Sequence, residues 1–394
     1  MMRSLELFAG AGGLGLGLHE AGFRAAGVIE RDSDCCATIR VNTKRGANAM
    51  REWKLVEADV CEVNFAAFED QLELVSGGPP CQPFSLGGKH KAYEDSRDMF
   101  PQAVRAVREI RPSAFIFENV KGLTRDRFRN YFEYIRLQLE HPEIIAKPDE
   151  AWSDHLGRLE RFHTSTTRDG LHYRVVTRVL NAADFGIPQK RERVFFVGFR
   201  EDLGIEWNFP KATHSCEALL WDQSSHGSYW DRHCISKSQR FYADRDASQS
   251  SDLLSPPIEM PWRTVRDAVS DLPAPETGKH ASGKISGHRF QPGARAYPGH
   301  TGSPLDEPAK ALKAGVHGVP GGENMIAHRN GTVRYFTMRE AARLQTFPDE
   351  FVFTGSWSET MRQLGNAVPV DLAKVVGGSV LSQLKASRLN GYVQ

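Results

Sequence analysis

An apolar, strand-like run, SLELF (residues 4–8), opens directly into AGAGGLGLGL, and this junction constrains the fold more than any other stretch. Gly10, Gly12 and Gly15 spell G-x-G-x-x-G between a strand and the start of a helix. Backbone without Cβ atoms can approach a ligand, and the same glycines also suit tight strand–helix packing. Helical periodicity continues to Ala21, where Gly22 stops it. About 20 residues beyond the first glycine, Glu30 ends a second strand-like run, RAAGVIE (24–30), where a carboxylate can accept both hydroxyls of a ribose. Asp59, at the end of a third, is placed to accept a hydrogen bond from an adenine amino group. The pattern alone leaves open whether the adenosine carries a nicotinamide or a methionine.

Strand and helix signals alternate through the first half. KLVEADV (54–60), LELVSGG (72–78) and SAFIFENV (113–120) read as further strands, the last apolar enough for burial on both faces. YRVVTRVLNAADFG and RVFFVGF supply two more, and residues 99–110 read as a helix stopped before Pro112. The expectation is an α/β fold with a parallel, doubly wound sheet. Between 201 and 332 the texture turns rich in Ser, Pro, Gly, His and Trp, too long for one ordered loop. We therefore expect a first catalytic portion at 1–200, a small irregular inserted domain at 201–332, and C-terminal helices at 333–394 completing the first portion. TMREAARLQTF (337–347) and residues 371–384 carry helical spacing there.

Composition excludes less than it permits. At 394 residues the chain buries a sizeable core, and no apolar run approaches the roughly 20 residues of a membrane span. The N-terminus runs straight into a strand pattern, so no signal peptide is expected. Six cysteines without a Cys-x-x-Cys pair signal neither a zinc ribbon nor a disulfide framework. His214, Cys216, His233 and Cys234 lack regular ligand spacing and read as scattered polar residues, so no metal is expected. The chain reads as intracellular, reduced and cytoplasmic. A net charge of +1 is compatible with a nucleic-acid enzyme, which needs a basic face rather than a basic total.

GGPPCQPFS (77–85) is the sharpest chemical signal. Cysteine is more often core filler. Here two prolines fix φ and withhold backbone donors, so the segment neither prolongs the sheet nor starts an ordinary helix. It leaves the fourth strand at its carboxyl end, where open α/β sheets bind ligands. The glycines of LGGKH just beyond suit a closing lid.

Taken together, LFAGAGG, PPCQPFS, ENV (118–120), QKRER (189–193), REAARLQTFPDEF (339–351) and GNAVP (365–369) resemble, in the same order, the motifs of the DNA (cytosine-5) methyltransferases of bacterial restriction–modification systems. The resemblance spans nearly the whole catalytic portion. It implies a Rossmann-like S-adenosyl-L-methionine-dependent fold whose 201–332 insertion recognises the target. It implies Cys81 as nucleophile, Glu118 as an acid serving N3 of cytosine, and Asn119 holding the loop or the exocyclic amine. It assigns Arg191 and Arg193 to the cytosine O2 and the target phosphate. Alternation along a strand puts both arginines and Gln189 on one face, with Lys190 and Glu192 pointing away. Cofactor contacts are implied for Phe8, Gly10, Ala11, Gly12, Gly13, Leu14, Glu30, Arg31, Asp59, Val60, Pro79, Asn366, Ala367 and Val368. Some relatives carry an aromatic residue where Arg31 stands, so adenine stacking on that side is not implied. DNA contacts are implied for Gln82, Ser85, Gln189 and loops within 300–331.

The chemistry suits these residue types. Cytosine C5 is a poor nucleophile, and thiolate addition at C6 turns the ring into an enamine-like species. Burial at a strand end would raise the Glu118 pKa and keep a proton for N3. The base must leave the stack for any of this to happen. The expected partners are duplex DNA and, functionally, a restriction endonuclease; the expected state is a monomer without membrane attachment. The competing readings are an RNA methyltransferase of the same fold, a catalytically silent DNA-binding relative, and a nicotinamide enzyme that leaves PPCQ and QKRER without a use.

Overall fold

The computed structural model describes residues 2–46, 50–68, 71–80, 98–165, 169–224, 227–240, 257–275, 277, 285–314 and 322–391. The chain forms two compact units: residues 1–180, 192–210 and 373–394, and residues 181–191 and 211–372. These limits differ from the expected ones, because residues 333–372 belong with the inserted region rather than with the sheet.

The first unit is built on strands β1 (Arg3–Leu7), β2 (Arg24–Glu30), β3 (Leu55–Glu57), β4 (Leu74–Gly77), β5 (Ala114–Val120) and β6 (Tyr173–Asn181). After the short β7 (Gln189–Lys190), β8 (Glu192–Arg200) completes a seven-stranded sheet of order β3-β2-β1-β4-β5-β8-β6. The pairs β2/β3, β1/β2, β1/β4 and β4/β5 run parallel, as expected. β8 lies antiparallel to β5, which apolar periodicity cannot foretell. The order reverses between β1 and β4, so the glycine loop and the root of the Cys81 loop leave adjacent strands at their carboxyl ends, the usual ligand site of such sheets.

Helices α1 (Gly13–Ala21), α2 (Ser33–Arg45), α3 (Phe100–Ile110), α4 (Arg129–Glu140) and α5 (Trp152–His163) belong to this unit. Gly22 ends α1 at φ 110, and Asp32 caps α2 by accepting from the Cys35 amide at 2.9 Å. α3 stops on Arg111 at φ 55, just before Pro112. Leu5, Leu7, Val75, Phe115, Phe117 and Phe196 share one buried core, each such side chain contributing roughly 1.5–3 kcal/mol. Gly198 faces Phe115 across the β5/β8 pair, and a Cβ there would overlap the phenyl ring.

The second unit is irregular, as expected of the insertion. Its described strands are two or three residues long, for example Met325–Ala327 against Val333–Tyr335. Two of its short helices, Val265–Val269 and Met338–Leu344, start with complete capping boxes at Thr264/Asp267 and Thr337/Glu340. So little ladder leaves buried carbonyls to satisfy, and guanidinium forks do part of this. Arg339, buried, donates to the carbonyls of Ser286 (3.1 Å), Pro348 (3.0 Å) and Phe351 (2.8 Å). His214 pairs with Thr213 Oγ1 at 2.8 Å and His233 with Asp267 at 2.9 Å, so each has a local polar partner. Among the described residues, no helix is long and apolar enough to cross a membrane.

Candidate active site

The glycine loop is shaped by positive φ at Phe8 (55°), Gly10 (55°) and Gly12 (88°). Among the described residues, a Cβ on Gly10 would meet nothing within 4 Å, so they leave space over the backbone there. A Cβ on Gly12 would come within 2.8 Å of Trp53, and one on Gly15 would overlap Glu6. The two kinds of glycine therefore do different work: Gly10 leaves room above the loop, whereas Gly12 and Gly15 let it pack below. Ala11, Gly13 and Leu14 are buried behind it.

Glu30 ties this loop to the next. Its Oε2 accepts from the Gly10 amide at 2.7 Å, and its Oε1 from the amides of Arg31 (2.8 Å) and Asp32 (2.7 Å). Arg31 Nη1 reaches Asp59 Oδ2 at 2.8 Å, while Asp59 Oδ1 accepts from the Cys61 amide at 2.9 Å. The Cys61 amide, then Arg31, hold the Asp59 carboxyl below the usual range. Gly10, Glu30, Arg31 and Asp59 thus form one hydrogen-bonded chain, with buried Val60 next to it.

Glu6 and Trp53 had no place in the sequence reading. Glu6, 3% exposed in β1, accepts from the Gly15 amide at 3.0 Å, and burial pushes its carboxyl up to about 8. The available signal was an acid flanked by Leu5 and Leu7 in a strand buried on both faces.

The second cluster surrounds the root of the Cys81 loop. Cys81, Gln82 and Ser85 lie outside the described residues. Asn119 Nδ2 donates to the Pro79 carbonyl at 2.9 Å, and the Met99 amide donates to the Pro80 carbonyl at 3.1 Å, so both flanks of the loop are fixed. Gly77 has no room for a Cβ against the Leu7 carbonyl, and a Cβ on Gly78 would lie 3.2 Å from Glu118 Oε2. The loop root and Glu118 are therefore in close register. Arg193 Nε stands 2.7 Å from Glu118 Oε1, both side chains largely buried. The expectation for Glu118 weighed burial alone; the adjoining guanidinium stabilises the charged form and opposes that effect. Burial in turn pulls Arg193 below its ordinary value, with Glu118 acting against it.

QKRER does not behave as one strand. β7 (Gln189–Lys190) pairs with Ala309–Lys310, whereas Glu192–Arg200 pairs with β5, and the chain breaks ladder at Arg191. The expected common face for Gln189, Arg191 and Arg193 is corrected accordingly: alternation holds only along an unbroken strand. Arg191 is 0% exposed in the second unit and donates to the carbonyls of Leu312 (3.1 Å), Gly365 (2.7 Å) and Ala367 (3.0 Å). It holds the GNAVP turn, in which Asn366 is exposed and Val368 buried. Gln189 is equally spent. Its Nε2 donates to Leu344 O and Gln345 Oε1 at 3.1 Å, and its Oε1 accepts from the Leu312 amide at 2.9 Å. Lys190 and Glu192 are exposed, pairing with Glu307 (3.1 Å) and Lys121 (2.7 Å). Of the 300–331 loops, residues 315–321 lie outside the described set; in the rest, Lys313 pairs with Glu323 and Arg329 with Asp306.

Comparison with known proteins agrees with these motifs. The family model for C-5 cytosine-specific DNA methylase matches residues 2–142 and 159–382. The chain is 33% identical over 384 residues to Type II methyltransferase M.Eco47II of Escherichia coli, covering 96% of this chain and 79% of that one. It is 31% identical over 390 residues to Type II methyltransferase M.PspPI of Psychrobacter sp., covering 97% and 80%. Among solved structures, a putative DNA modification methyltransferase from an E. coli prophage aligns at TM-score 0.53 and 21% identity, covering 98% of this chain and 100% of that one. The S. pombe Dnmt2 methyltransferase aligns at TM-score 0.53 and 17% identity, covering 98% and 99%; both likenesses concern the fold. The chain belongs to the C-5 cytosine-specific DNA methylase family and is a DNA cytosine-5 methyltransferase.

Proposed function

We propose that this chain methylates C5 of a cytosine rotated out of a specific duplex DNA sequence, with S-adenosyl-L-methionine as donor and Cys81 as covalent nucleophile. The observation that carries the reading is the Glu118–Asn119–Arg193 cluster gripping the root of the Cys81 loop, through Asn119 to Pro79 and Glu118 beside Gly78.

The donor fits the residues present. Open space above Gly10, the Glu30 carboxylate beside it and Asp59 at the next strand end form a cradle of the right chemistry for an adenosine. Phe8, residues 11–14, Arg31, Val60 and Pro79 border it in this reading. Bound S-adenosyl-L-methionine supplies an electrophilic methyl group. Cys81, as thiolate, adds to C6, and the electron pair displaced from the C5–C6 double bond makes C5 nucleophilic. Glu118 and Arg193 face N3 and O2, where negative charge develops, and their mutual pairing fixes both before the base arrives. As C5 takes the methyl, the methyl–sulfur bonding pair stays on the donor's sulfur; water then takes the C5 proton, and the C5–H pair re-forms the C5–C6 double bond and expels Cys81 as thiolate. Arg191 is a positioning residue that fixes the GNAVP turn.

The first unit acts as the catalytic domain, and the 211–332 stretch of the second reads the target sequence; the chain acts on DNA as a monomer in the bacterial cytoplasm. Relatives named Type II methyltransferases favour a modification role that protects host DNA from a partner endonuclease. The test offers labelled S-adenosyl-L-methionine with duplex DNA and with tRNA to wild type and Cys81→Ser. Label in DNA with wild type alone is expected; label in tRNA, or undiminished labelling by Cys81→Ser, overturns the reading.

A further inference from the structure

We propose that Glu140, His141 and His163 form a site for one divalent transition-metal ion, with zinc the best fit, oriented by His172 and separate from the methyl-transfer site.

These residues come from element ends that meet within the first unit. Glu140 is the last residue of α4, His141 closes that helix by donating its amide to the Leu137 carbonyl, and His163 is the last residue of α5. His172 immediately precedes β6. His141 Nε2 lies 3.0 Å from His163 Nδ1, and His163 Nδ1 lies 3.3 Å from Glu140 Oε2. One donor atom from each of the three falls within 4.8 Å of the others. Tetrahedral zinc with bonds of about 2.0–2.1 Å sets neighbouring ligands roughly 3.3 Å apart, so two of these separations already resemble edges of such a site.

Proton accounting shows which lone pairs a cation would meet. A neutral imidazole has one N–H and one lone pair. His141 Nδ1 faces His172 Nδ1 at 3.2 Å, while His141 Nε2 faces His163 Nδ1. If His141 gives its proton to His172, its Nε2 turns a lone pair toward His163. If it gives its proton to His163 instead, His163 Nδ1 becomes an acceptor facing the Glu140 carboxylate. A metal ion between the three takes all the lone pairs at once. His141 Nδ1–H donating to His172 is then the outer contact that fixes a ligand's tautomer. His172 is 8% exposed and its Nε2 makes no hydrogen bond among the described residues, so its contact with His141 is what holds the ring's polar edge.

The surroundings fit a single-oxygen carboxylate ligand. Arg136 pairs with Glu140 Oε1 and with Glu133, leaving Oε2 as the oxygen that faces His163. His141 is 2% exposed but the His163 side chain is 35% exposed, which gives an ion a way in. Two imidazoles and a carboxylate, with no thiolate, suit zinc, nickel or copper(II) rather than copper(I) or calcium. The ion would pin the ends of α4 and α5 beside the start of β6.

The test uses the full chain, stripped with chelator, given one equivalent of zinc and desalted. Elemental analysis should find one zinc per chain, and cobalt(II) in its place should give the intense visible absorption of a four-coordinate site. Zinc should raise the thermal midpoint by several degrees. His163→Gln, at a partly exposed position, should lose retained zinc, the cobalt band and the midpoint rise, while His214→Gln keeps all three. Zinc retention by wild type no greater than by His163→Gln, or a cobalt spectrum indistinguishable from the aqueous ion, overturns the proposal. The wild-type measurements decide the matter even if the variant folds poorly.

Discussion

Asn119 Nδ2 donates to the carbonyl of Pro79 at 2.9 Å, joining the end of β5 to a residue two positions before Cys81. The same side chain accepts from the Val120 amide at 2.8 Å, so both ends of one amide are committed. Asn119→Ala leaves a buried carbonyl without this donor and should cost about 1–3 kcal/mol. Because the loop root loosens while the glycine loop is untouched, methyl transfer should fall much further than S-adenosyl-L-methionine affinity. Denaturant midpoints and single-turnover rates measure the two; a variant with wild-type turnover shows that the clamp is dispensable.

Arg193 and Glu118 form a largely buried pair, and removing one member strands the other. Arg193→Ala should destabilise by about 3–5 kcal/mol, and Arg193→Ala combined with Glu118→Gln by less than either change summed with the other. Neither variant should retain more than a trace of methyl transfer, because the proposed donors to N3 and O2 are both altered. A double-mutant cycle by urea unfolding gives the coupling; strictly additive losses mean that the two charges are near each other without energetic coupling.

The sheet was legible because its strands obey simple rules. SAFIFENV carries an unbroken apolar run at 114–117 and becomes β5 between neighbours on both sides, and Gly22 and Pro112 stop helices where backbone chemistry requires. QKRER was legible as a motif but not as geometry. Its alternation promised one face, yet the strand breaks at Arg191 because Gln189–Lys190 pairs with residues 309–310, distant in sequence. No local signal encodes that partner, or the carbonyls of Leu312, Gly365 and Ala367 that take the Arg191 guanidinium. The division at 333–372 was missed for the same reason: helical spacing shows that a helix forms, not which unit it packs with.

Arg191 should accordingly act on stability before chemistry. Arg191→Lys keeps the charge but loses the fork that reaches separate carbonyls, so it should fail nearly as badly as Arg191→Ala. We expect losses of about 3 kcal/mol or more, with hydrogen exchange accelerated around residues 312–314 and 363–367. Rescue of both stability and exchange by lysine would mean that charge, not the fork, is what the turn needs.

Glu6 sets a pH dependence with a definite sign. Burial raises its carboxyl to about 8, against about 4.3 in an unfolded chain. Between those values the unfolded chain has released a proton that the native state keeps, so stability falls as pH rises and levels off above about 8. The loss across that window is on the order of several kcal/mol. Glu6→Gln keeps an oxygen for the Gly15 amide but has no proton to lose. Its stability relative to wild type should therefore climb between pH 5.5 and pH 8, read by urea unfolding at each pH. A difference that stays constant across this range rules out a neutral Glu6.

Glycines 10 and 15 separate ligand approach from packing. Gly10 has φ 55 and open space where a Cβ would stand, so Gly10→Ala pays only the left-handed backbone cost of about 1–2 kcal/mol. Its methyl nevertheless enters the space assigned to the donor, and affinity for S-adenosyl-L-methionine should drop at least tenfold in a folded protein. At Gly15 a Cβ would overlap Glu6 and stand 2.8 Å from Trp53 Cη2, with a buried acid unable to yield. Gly15→Ala should cost about 1–3 kcal/mol or more, and what folded protein remains should bind in proportion to its folded fraction. Calorimetric titration of both variants beside their thermal midpoints draws the distinction. Wild-type affinity in Gly10→Ala places the donor away from this backbone, and the cradle assigned to residues 8–14 must then be abandoned.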